Sequence, residues 1–320
     1  ISVAIDDGGD GRLNAAEDSS ASISGVTSGA PDGQTVALNI SSSGGGTPFN
    51  TTATVSNNRY SLSNLDLSSL DDGTLTITAD VSDLAGNAAT QATDTTTKDT
   101  TPPTISVAID DGGDGRLNAA EDSSASISGV TSGAPDGQTV FINISSSGGG
   151  TPFNTTATVS NNRYSLSNLD LSSLDDGTLT ITADVSDLAG NAATQASAST
   201  TKDTTPPTIS VAIDDGGDGR LNAAEDSSAS ISGVTSGAPD GQTVALNISS
   251  SGGGTPINTT ATVSNNRYSL SNLDLSSLDD GTLTITADVS DLAGNAATQA
   301  SASTTKDSSS PTISVPSMRR

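Results

Sequence analysis

Apolar and polar residues alternate along several short stretches at the start of the chain. In each stretch small aliphatic residues occupy every second position, which is typical of a β-strand with one buried and one solvated face. Clusters of Gly, Asn, Asp and Pro separate the stretches and indicate turns. No stretch of ten residues carries a helical stripe, although LSSL at 67–70 is compatible with one short turn. The pattern predicts an all-β fold built from ISVAID, SASISGVTS, TVALNIS, TATVS, YSLSNLDL and TLTITADVSD.

The same pattern occurs three times. The string ISVAIDDGG begins at Ile1, Ile105 and Ile209, so the period is 104 residues. A period of this length suits a whole domain better than a solenoid unit. We therefore expect domains at 1–104, 105–208 and 209–312, with 313–320 as the start of a further segment or a cloning remnant. The first two copies differ only at Ala37/Phe141, Leu38/Ile142, Thr93/Ser197, Asp94/Ala198 and Thr95/Ser199.

About seven strands in 104 residues is the spacing of an immunoglobulin-like β-sandwich. Each copy ends in a short segment with the sequence TKDTTPPT, whose prolines favour extended backbone. We interpret this segment as a linker, and expect the domains to be arranged end to end as a rod. In the first copy the strands are assigned, in immunoglobulin order, as A 1–5, B 21–28, C 34–42, F 74–82 and G 88–97.

Composition removes several classes of function. The chain has 320 residues, a net charge of −26, 32% hydrophobic and 2% aromatic residues. Such values often accompany disorder, but a disordered acidic chain would not keep the alternation. There is no Cys and no His, which excludes disulfides, soft-metal sites and His-based catalysis. The acidity argues against nucleic acid as a partner. No apolar run of about 18 residues exists, so we expect no membrane insertion. We interpret the start at Ile1, in mid-pattern, as a part of a longer protein.

One acidic stretch, AIDDGGDGRLNAAED at 4–18, is repeated letter for letter at 108–122 and 212–226. It fits the calcium loop of an EF-hand, with Asp6 at position 1, Asp10 at 5, the turn glycine at 6, the Arg12 carbonyl at 7 and Glu17 at 12. Position 3 departs from that pattern, because Gly8 stands where a ligand is expected. Hard oxygen ligands in a glycine-rich loop favour Ca²⁺ over Mg²⁺ or soft metals.

In immunoglobulin topology the A–B and E–F loops lie at the pole from which the linker leaves, where the F–G loop of the next domain arrives. We expect several Ca²⁺ ions, about one or more for each repeat and junction, because so many carboxylates would otherwise repel. For the first repeat and junction the predicted ligands are Asp6, Asp7, Asp10, Arg12, Glu17, Asp99, Asp187 and Asn191. For the second they are Asp110, Asp111, Asp114, Arg116, Glu121, Asp203, Asp291 and Asn295. For the third they are Asp214, Asp215, Asp218, Arg220, Glu225 and Asp307. Secondary candidates are Asp18, Asp71, Asp72, Asp83 and Asn87.

Two simpler interpretations remain open. The acidic stretch can be a solvated loop that keeps the protein soluble, as charge runs usually are. The DLAGN segment of the F–G loop can be a hairpin turn without a metal.

The frame DTTPPTISVAIDDGGDGRLNAAED, followed by DGTLTITADVSDLAGNAA and KDTTPPT, resembles the bacterial immunoglobulin-like repeats of giant biofilm and RTX-type adhesins. The resemblance covers all three repeats, and the period is especially similar to that of the extender repeats of ice-binding adhesins. It implies a secreted stalk on the bacterial cell surface, made stiff by Ca²⁺ at the junctions and partnered by neighbouring repeats. Other domains of the full-length protein would bind the distal target. The third linker departs from the pattern, because Ser308, Ser309 and Ser310 replace Thr-Thr-Pro.

Three functions compete at this point. The leading hypothesis is a structural extender whose stiffness depends on Ca²⁺. The alternative is a carbohydrate- or ice-binding module, for which the row of Thr74, Thr76 and Thr78 is the candidate surface. Sugar platforms usually need exposed aromatic residues, and each repeat has a single tyrosine, which we expect in the core or in a corner motif: Tyr60, Tyr164 and Tyr268. The third hypothesis is an enzyme, and we expect none, because the carboxylate pair Asp71/Asp72 lies in a turn.

Overall fold

The chain folds into three β-sandwiches of one design, called modules 1, 2 and 3 below. The computed structural model describes residues 1–314, and within them strands are the only regular secondary structure. The prediction of an all-β fold of tandem sandwiches is therefore confirmed. The expectation for 313–320 falls largely outside the described residues. No helix in the described part of the chain has the length and apolar character that a membrane crossing requires.

Module 1 consists of a three-stranded and a five-stranded sheet packed face to face. The first sheet has the order β1-β3-β6 and the second the order β2-β8-β7-β4-β5. All pairs are antiparallel except β2 with β8, in which Arg12 lies beside Thr97. The strands are β1 Ala4–Asp6, β2 Arg12–Leu13, β3 Ala21–Val26, β4 Thr35–Ser42, β5 Phe49–Thr54, β6 Arg59–Leu65, β7 Gly73–Asp80 and β8 Ala92–Lys98.

Modules 2 and 3 repeat this arrangement and add one short strand at the linker. This strand pairs with the end of the strand that follows the acidic loop, so that Ile105 lies beside Thr131 and Ile209 beside Thr235. Module 2 comprises β9 Thr104–Ile105, β10 Ala108–Asp110, β11 Arg116–Leu117, β12 Ala125–Ser132, β13 Thr139–Ser146, β14 Phe153–Thr158, β15 Arg163–Leu169, β16 Gly177–Asp184 and β17 Ala196–Lys202. Module 3 comprises β18 Thr208–Ile209, β19 Ala212–Asp214, β20 Arg220–Leu221, β21 Ala229–Ser236, β22 Thr243–Ser250, β23 Ile257–Thr262, β24 Arg267–Leu273, β25 Gly281–Asp288 and β26 Ala300–Lys306.

Each module has a separate core made of small aliphatic side chains. In strand β7 the residues Leu75, Ile77 and Ala79 are fully buried, whereas the threonines between them face outward. The period of two predicted this arrangement, because successive side chains of a strand point to opposite faces. No buried residue is shared between the three core clusters. Each module is therefore stabilised by the burial of its own apolar side chains.

Two local features fix the sandwich geometry. Asn57 and Asn58 both have positive φ, 53° and 59°, and form the two-residue turn between β5 and β6. Positive φ at both central residues is the backbone of a type I′ hairpin turn, which asparagine tolerates. Tyr60 is buried, and its hydroxyl donates a hydrogen bond to the carbonyl of Ser2. This tyrosine therefore ties the first segment to the core, as expected of a core or corner residue.

Candidate functional site

The acidic stretch of module 1 is divided into two parts by strand β2. Its first part, 7–11, crosses from one sheet to the other, and its second part, 14–20, leads into β3. Gly11 has a φ of 79°, so the sharp turn expected at that position is present. The stretch differs from the predicted single A–B loop, because two residues pair with β8 in the middle of it.

The second part is closed by a capping box. The Asn14 side chain accepts hydrogen bonds from the N–H groups of Ala16 and Glu17, at 2.8 and 3.1 Å. In return, Glu17 Oε2 accepts one from the Asn14 N–H, at 3.0 Å. This reciprocal arrangement is the capping box that stabilises the first turn of a helix. Here it holds a single turn, and it fixes the side chain of one predicted calcium ligand, Glu17.

The other carboxylates of the stretch bind donors close to them. Asp6 accepts a hydrogen bond from Gly8 N, and Asp10 accepts one from Arg12 N. Asp7 Oδ2 accepts one from the Thr96 hydroxyl, at 3.0 Å. Among residues 1–314 no group of three or more acidic side chains is placed so that it could hold a metal ion. The stretch is therefore a row of separately satisfied carboxylates.

Beneath the acidic stretch lies a buried lysine. The Lys98 ammonium is 2.9 Å from Asp18 Oδ2, and the lysine is only 2% exposed. It also donates to the carbonyls of Leu67 and Leu70, at 2.9 and 2.7 Å. Lys98 thus joins the end of β8, the acidic stretch and the E–F loop, which is the segment 66–72 between β6 and β7. Asp18, a secondary ligand candidate, is neutralised by this lysine.

The linker is held by the neighbouring loop. Asp72 Oδ1 accepts hydrogen bonds from the Thr100 N–H and hydroxyl, and Oδ2 accepts one from the Thr101 hydroxyl. Partial burial raises the pKa of Asp72, but these hydrogen bonds and the charge of Lys98 outweigh it, so its pKa lies below the usual range. In the third linker Ser308 and Ser309 make the same contacts to Asp280. The serines therefore preserve this contact, because the contact uses only a backbone N–H group and side-chain hydroxyls, which serine also has.

The F–G loop of module 2, which lies between β16 and β17, docks on the pole of module 1, the end formed by its acidic stretch and the loop 66–72. Asn191 Oδ1 accepts a hydrogen bond from the Ala15 N–H at 3.0 Å, and Asn191 Nδ2 donates to the Asp99 carbonyl at 2.7 Å. Asn14 Nδ2 donates to the Ala189 carbonyl at 3.0 Å. The predicted meeting of the first pole, the linker and the next F–G loop is thus present. The contacts use amide side chains and backbone groups rather than carboxylates.

The F–G loop of module 1 docks on no other module in this chain. Comparing it with the docked F–G loop of module 2 shows which residues the docking buries. Leu84 is 81% exposed, whereas its counterpart Leu188 is 52% exposed. Asp83 is half-buried, whereas Asp187 is buried, with 7% exposed. Since the loop sequences are identical, the difference comes from the contact with the preceding module.

The second junction repeats the first. Asn295 Oδ1 accepts from the Ala119 N–H, and its Nδ2 donates to the Asp203 carbonyl at 2.7 Å. Lys202 pairs with Asp122 at 3.0 Å and lies 3.5 Å from Asp176. The local contacts recur at the remaining predicted ligands: Asp110, Asp111, Asp114, Arg116, Glu121, Asp214, Asp215, Asp218, Arg220 and Glu225. At the third pole Asp307 hydrogen-bonds through its side chain to Ser309.

The donor chemistry of the junction fits a hard cation. Asp187 accepts three hydrogen bonds from its own loop, two from backbone N–H groups and one from Asn191 Nδ2. Within residues 1–314 no Lys or Arg forms an ion pair with this buried carboxylate. A buried charge without a cation is costly, and Asp187 itself offers carboxylate oxygens, because the groups hydrogen-bonded to it are nitrogen donors. Ca²⁺ suits such a donor set, whereas His- and Cys-binding metals do not.

The sequence missed two residues of this site. The sequence does not predict the ion pair of Lys98, because its partner Asp18 lies eighty positions away in the chain. Asn14 is not among the predicted ligands, although the segment N-A-A-E at 14–17 has the spacing of a capping box and indicates its role.

Comparison with known proteins gives a family and several similar structures. The model of the family described as "Bacterial Ig-like domain (group 3)" matches residues 58–140 and 161–270, which is more than half of the chain. None of the curated proteins matches the sequence.

Three solved structures illustrate the similarity. The crystal structure of a tetra-tandem repeat in the extending region of a large adhesion protein is 31% identical, with 95% of this chain and 74% of that one covered and a TM-score of 0.34. A Ca²⁺-stabilised adhesin that helps an Antarctic bacterium reach out and bind ice is 26% identical, with 97% and 75% covered and a TM-score of 0.49. A structure concerned with host cell surface retention of a 1.5-MDa bacterial ice-binding adhesin is 25% identical, with 96% and 98% covered and a TM-score of 0.45. By its sequence match and its sandwich fold, the chain belongs to the bacterial Ig-like domain (group 3) family.

Proposed function

We propose that the chain is a structural extender, a stalk of a secreted adhesin on the bacterial cell surface. The observation that carries the proposal is the docking of each F–G loop on the pole of the preceding module, at both junctions. Near-identical modules that join in one repeated way give length without adding new binding chemistry. Strands of seven or eight residues and their loops give about 40 Å for each module. Three modules would then span on the order of 120 Å.

Calcium is the second part of the proposal. We propose that Ca²⁺ binds at the acidic stretches and junctions, with ligands drawn from the acidic stretch, the linker aspartate and the docked loop. For the first junction these are Asp6, Asp7, Asp10, the Arg12 carbonyl, Glu17, Asp99, Asp187 and Asn191, and the later junctions use their counterparts. The ion would supply positive charge between carboxylates of two modules. A net charge of −26 supports this view, and so does the buried Asp187, which forms no ion pair within residues 1–314.

The proposed role requires a stiff rod in calcium and a looser one without it. Extracellular calcium modules bind with dissociation constants of about 10⁻⁴–10⁻³ M, so the sites would fill outside the cell. The experiment is small-angle X-ray scattering of the whole chain in millimolar-range Ca²⁺ and in chelator, together with its melting temperature. We expect a larger maximum dimension and a higher melting temperature in Ca²⁺. Superimposable scattering profiles in the two conditions would reject calcium stiffening.

One observation keeps the ligand-binding alternative open. On the outer face of module 1, Thr74, Thr76 and Thr78 lie in register beside Thr97, Thr95 and Thr93 of the neighbouring strand. In modules 2 and 3 the second row carries two serines. Thermal hysteresis and a glycan array with the whole chain would test this face, and activity lost in Thr76→Val would assign it to these threonines.

A further inference from the structure

We infer that the F–G loop is the element by which a module binds the module before it, and that Asn191 and Asn295 set its orientation. The inference deepens the proposed stalk, on which it rests for its biological role. The binding partner is any module whose acidic stretch presents the turn Asn-Ala-Ala-Glu next to a carbonyl group of the linker.

The amide of Asn191 connects three segments. Its oxygen accepts the Ala15 N–H, and its nitrogen donates both to the Asp99 carbonyl and to Asp187 Oδ2, at 2.7 and 2.9 Å. An amide offers an acceptor and two donors in one plane. Alanine offers neither, and aspartate could not donate to the carbonyl. Asparagine at this position therefore matches both the N–H group and the carbonyl group of the preceding module.

The docking loop has the same internal structure whether or not it is docked. In the exposed copy Asp83 Oδ1 accepts from Ala85 N and Asn87 N, and Asp83 Oδ2 accepts from Asn87 Nδ2, all at 2.9 Å. The docked loop 187–191 makes the same three bonds at the same length. A binding element that is already ordered loses little conformational entropy on docking.

The receiving pole is also formed in advance. In module 3, onto which no module docks within residues 1–314, Glu225 Oε2 still accepts from Asn222 N, at 3.0 Å. The Asn222 side chain still accepts from Ala224 N and Glu225 N. The capping box therefore points the N–H group of Ala223, the counterpart of Ala15, outward before a partner arrives.

Burial supports a specific contact rather than a chance one. Ala189 and Ala293 are each 1% exposed, whereas their counterpart Ala85 is exposed. Asn191 is 6% exposed and fully hydrogen-bonded. Buried amides left without partners are costly, so the loop fits only where the N–H and carbonyl groups of a pole meet it.

The experiment measures the spread of distances between modules 1 and 2. The chain has no cysteine, so Thr52→Cys and Thr156→Cys, both exposed strand positions, introduce a single pair of spin labels. Pulsed electron spin resonance then reports the distance distribution in chelator and in Ca²⁺. In Ca²⁺ we expect one narrow distribution for the labelled chain and a clearly broadened one after Asn191→Ala.

The chain offers a matched control. Asn87→Ala makes the same change in an identical loop that docks on nothing in this chain, so its distribution should stay narrow. A second variant, Ala15→Pro, removes the N–H group on the opposite side of the contact, at the first position of a capped turn where proline is tolerated. It should broaden the distribution as Asn191→Ala does.

The outcomes separate this inference from the calcium proposal. A distribution already broad in Ca²⁺ for the labelled chain, or one left narrow by Ala15→Pro, would overturn the inference, because Ala15 contributes an N–H group to the contact and no metal ligand. Equal broadening by Asn87→Ala would do the same, since that loop has no partner. An effect of Ca²⁺ on the unsubstituted chain tests only the calcium proposal, and its absence would leave docking through Asn191 standing.

Discussion

At the scale of single residues, the buried ion pair between Lys98 and Asp18 dominates the pole of module 1. Removing one partner leaves the other charge buried, which typically costs about 3–5 kcal/mol. We therefore expect Lys98→Met to lower the free energy of unfolding of module 1 by about that amount, measured by denaturant titration. Arg59→Ala, at an exposed position, is the control and should change it by at most about 0.5 kcal/mol.

The double variant Lys98→Met/Asp18→Leu sharpens this test. Because it removes both charges together, it should recover part of the lost stability. If Lys98→Met alone unfolded like the unsubstituted chain, the ion pair would contribute nothing to the pole.

The three tyrosines give a prediction for alkaline pH. Burial raises the pKa of Tyr60, Tyr164 and Tyr268 from 10.0 to about 12. The neutral phenol is thus favoured in the folded state, so its contribution is complete below pH 10 and is lost as the pH rises from 10 through about 12. No Trp is present, so the ultraviolet absorbance of tyrosinate follows these groups alone. A midpoint near 10 in the folded chain would contradict their burial.

At the scale of elements, the contact of the linker with Asp72 is the feature to test. The Thr100 N–H donates to Asp72 Oδ1 at 3.0 Å, and a hydrogen bond to a charged group contributes about 1.5–3 kcal/mol. Asp72→Ala should therefore speed hydrogen exchange at the Thr100 amide by roughly ten- to a hundredfold. The control is Asp71→Ala. The side chain of the neighbouring Asp71 forms no hydrogen bond with the linker within residues 1–314.

Acid should act on the same contact. The pKa of Asp72 lies below its usual range in the folded chain, so the contact is at full strength above about pH 4 and is lost as the pH falls through the folded value. Faster Thr100 exchange on acidification, after correction for intrinsic rates, would show this. If acid slowed the corrected exchange, the pKa of Asp72 would not be lowered in the folded chain.

The strands and loops also show how much of the structure can be predicted from the sequence. Alternation located the strands and their buried faces, because period-two patterns such as Leu75, Ile77 and Ala79 follow from strand geometry alone. The pole topology followed from the order of strands, and it placed Asn191 near the first acidic stretch. The directions of the side chains did not follow. Asp7 binds Thr96 and Asp18 binds Lys98, and such long-range donors, rather than loop spacing, determine whether carboxylates converge.

At the scale of the whole molecule, the modules should respond to force one at a time. Their cores share no buried residue, and in each five-stranded sheet the first and last strands in chain order meet in a parallel pair, such as Arg12–Leu13 beside Thr97–Lys98. Pulling along the chain loads this pair in shear, so that its hydrogen bonds must break together.

The size of each step follows from the repeat. A module of 104 residues, counted from Ile1 to Ile105, extends to about 350 Å at about 3.4 Å per residue. About 40 Å of folded length is already present, so each unfolding event should release roughly 310 Å. Single-molecule stretching of the whole chain should show three such steps of equal size. One longer step would mean that docking through the F–G loops makes the three cores unfold as a unit. Three equal steps would mean that the junctions yield before the cores do, as hydrogen-bonded contacts without a shared core should.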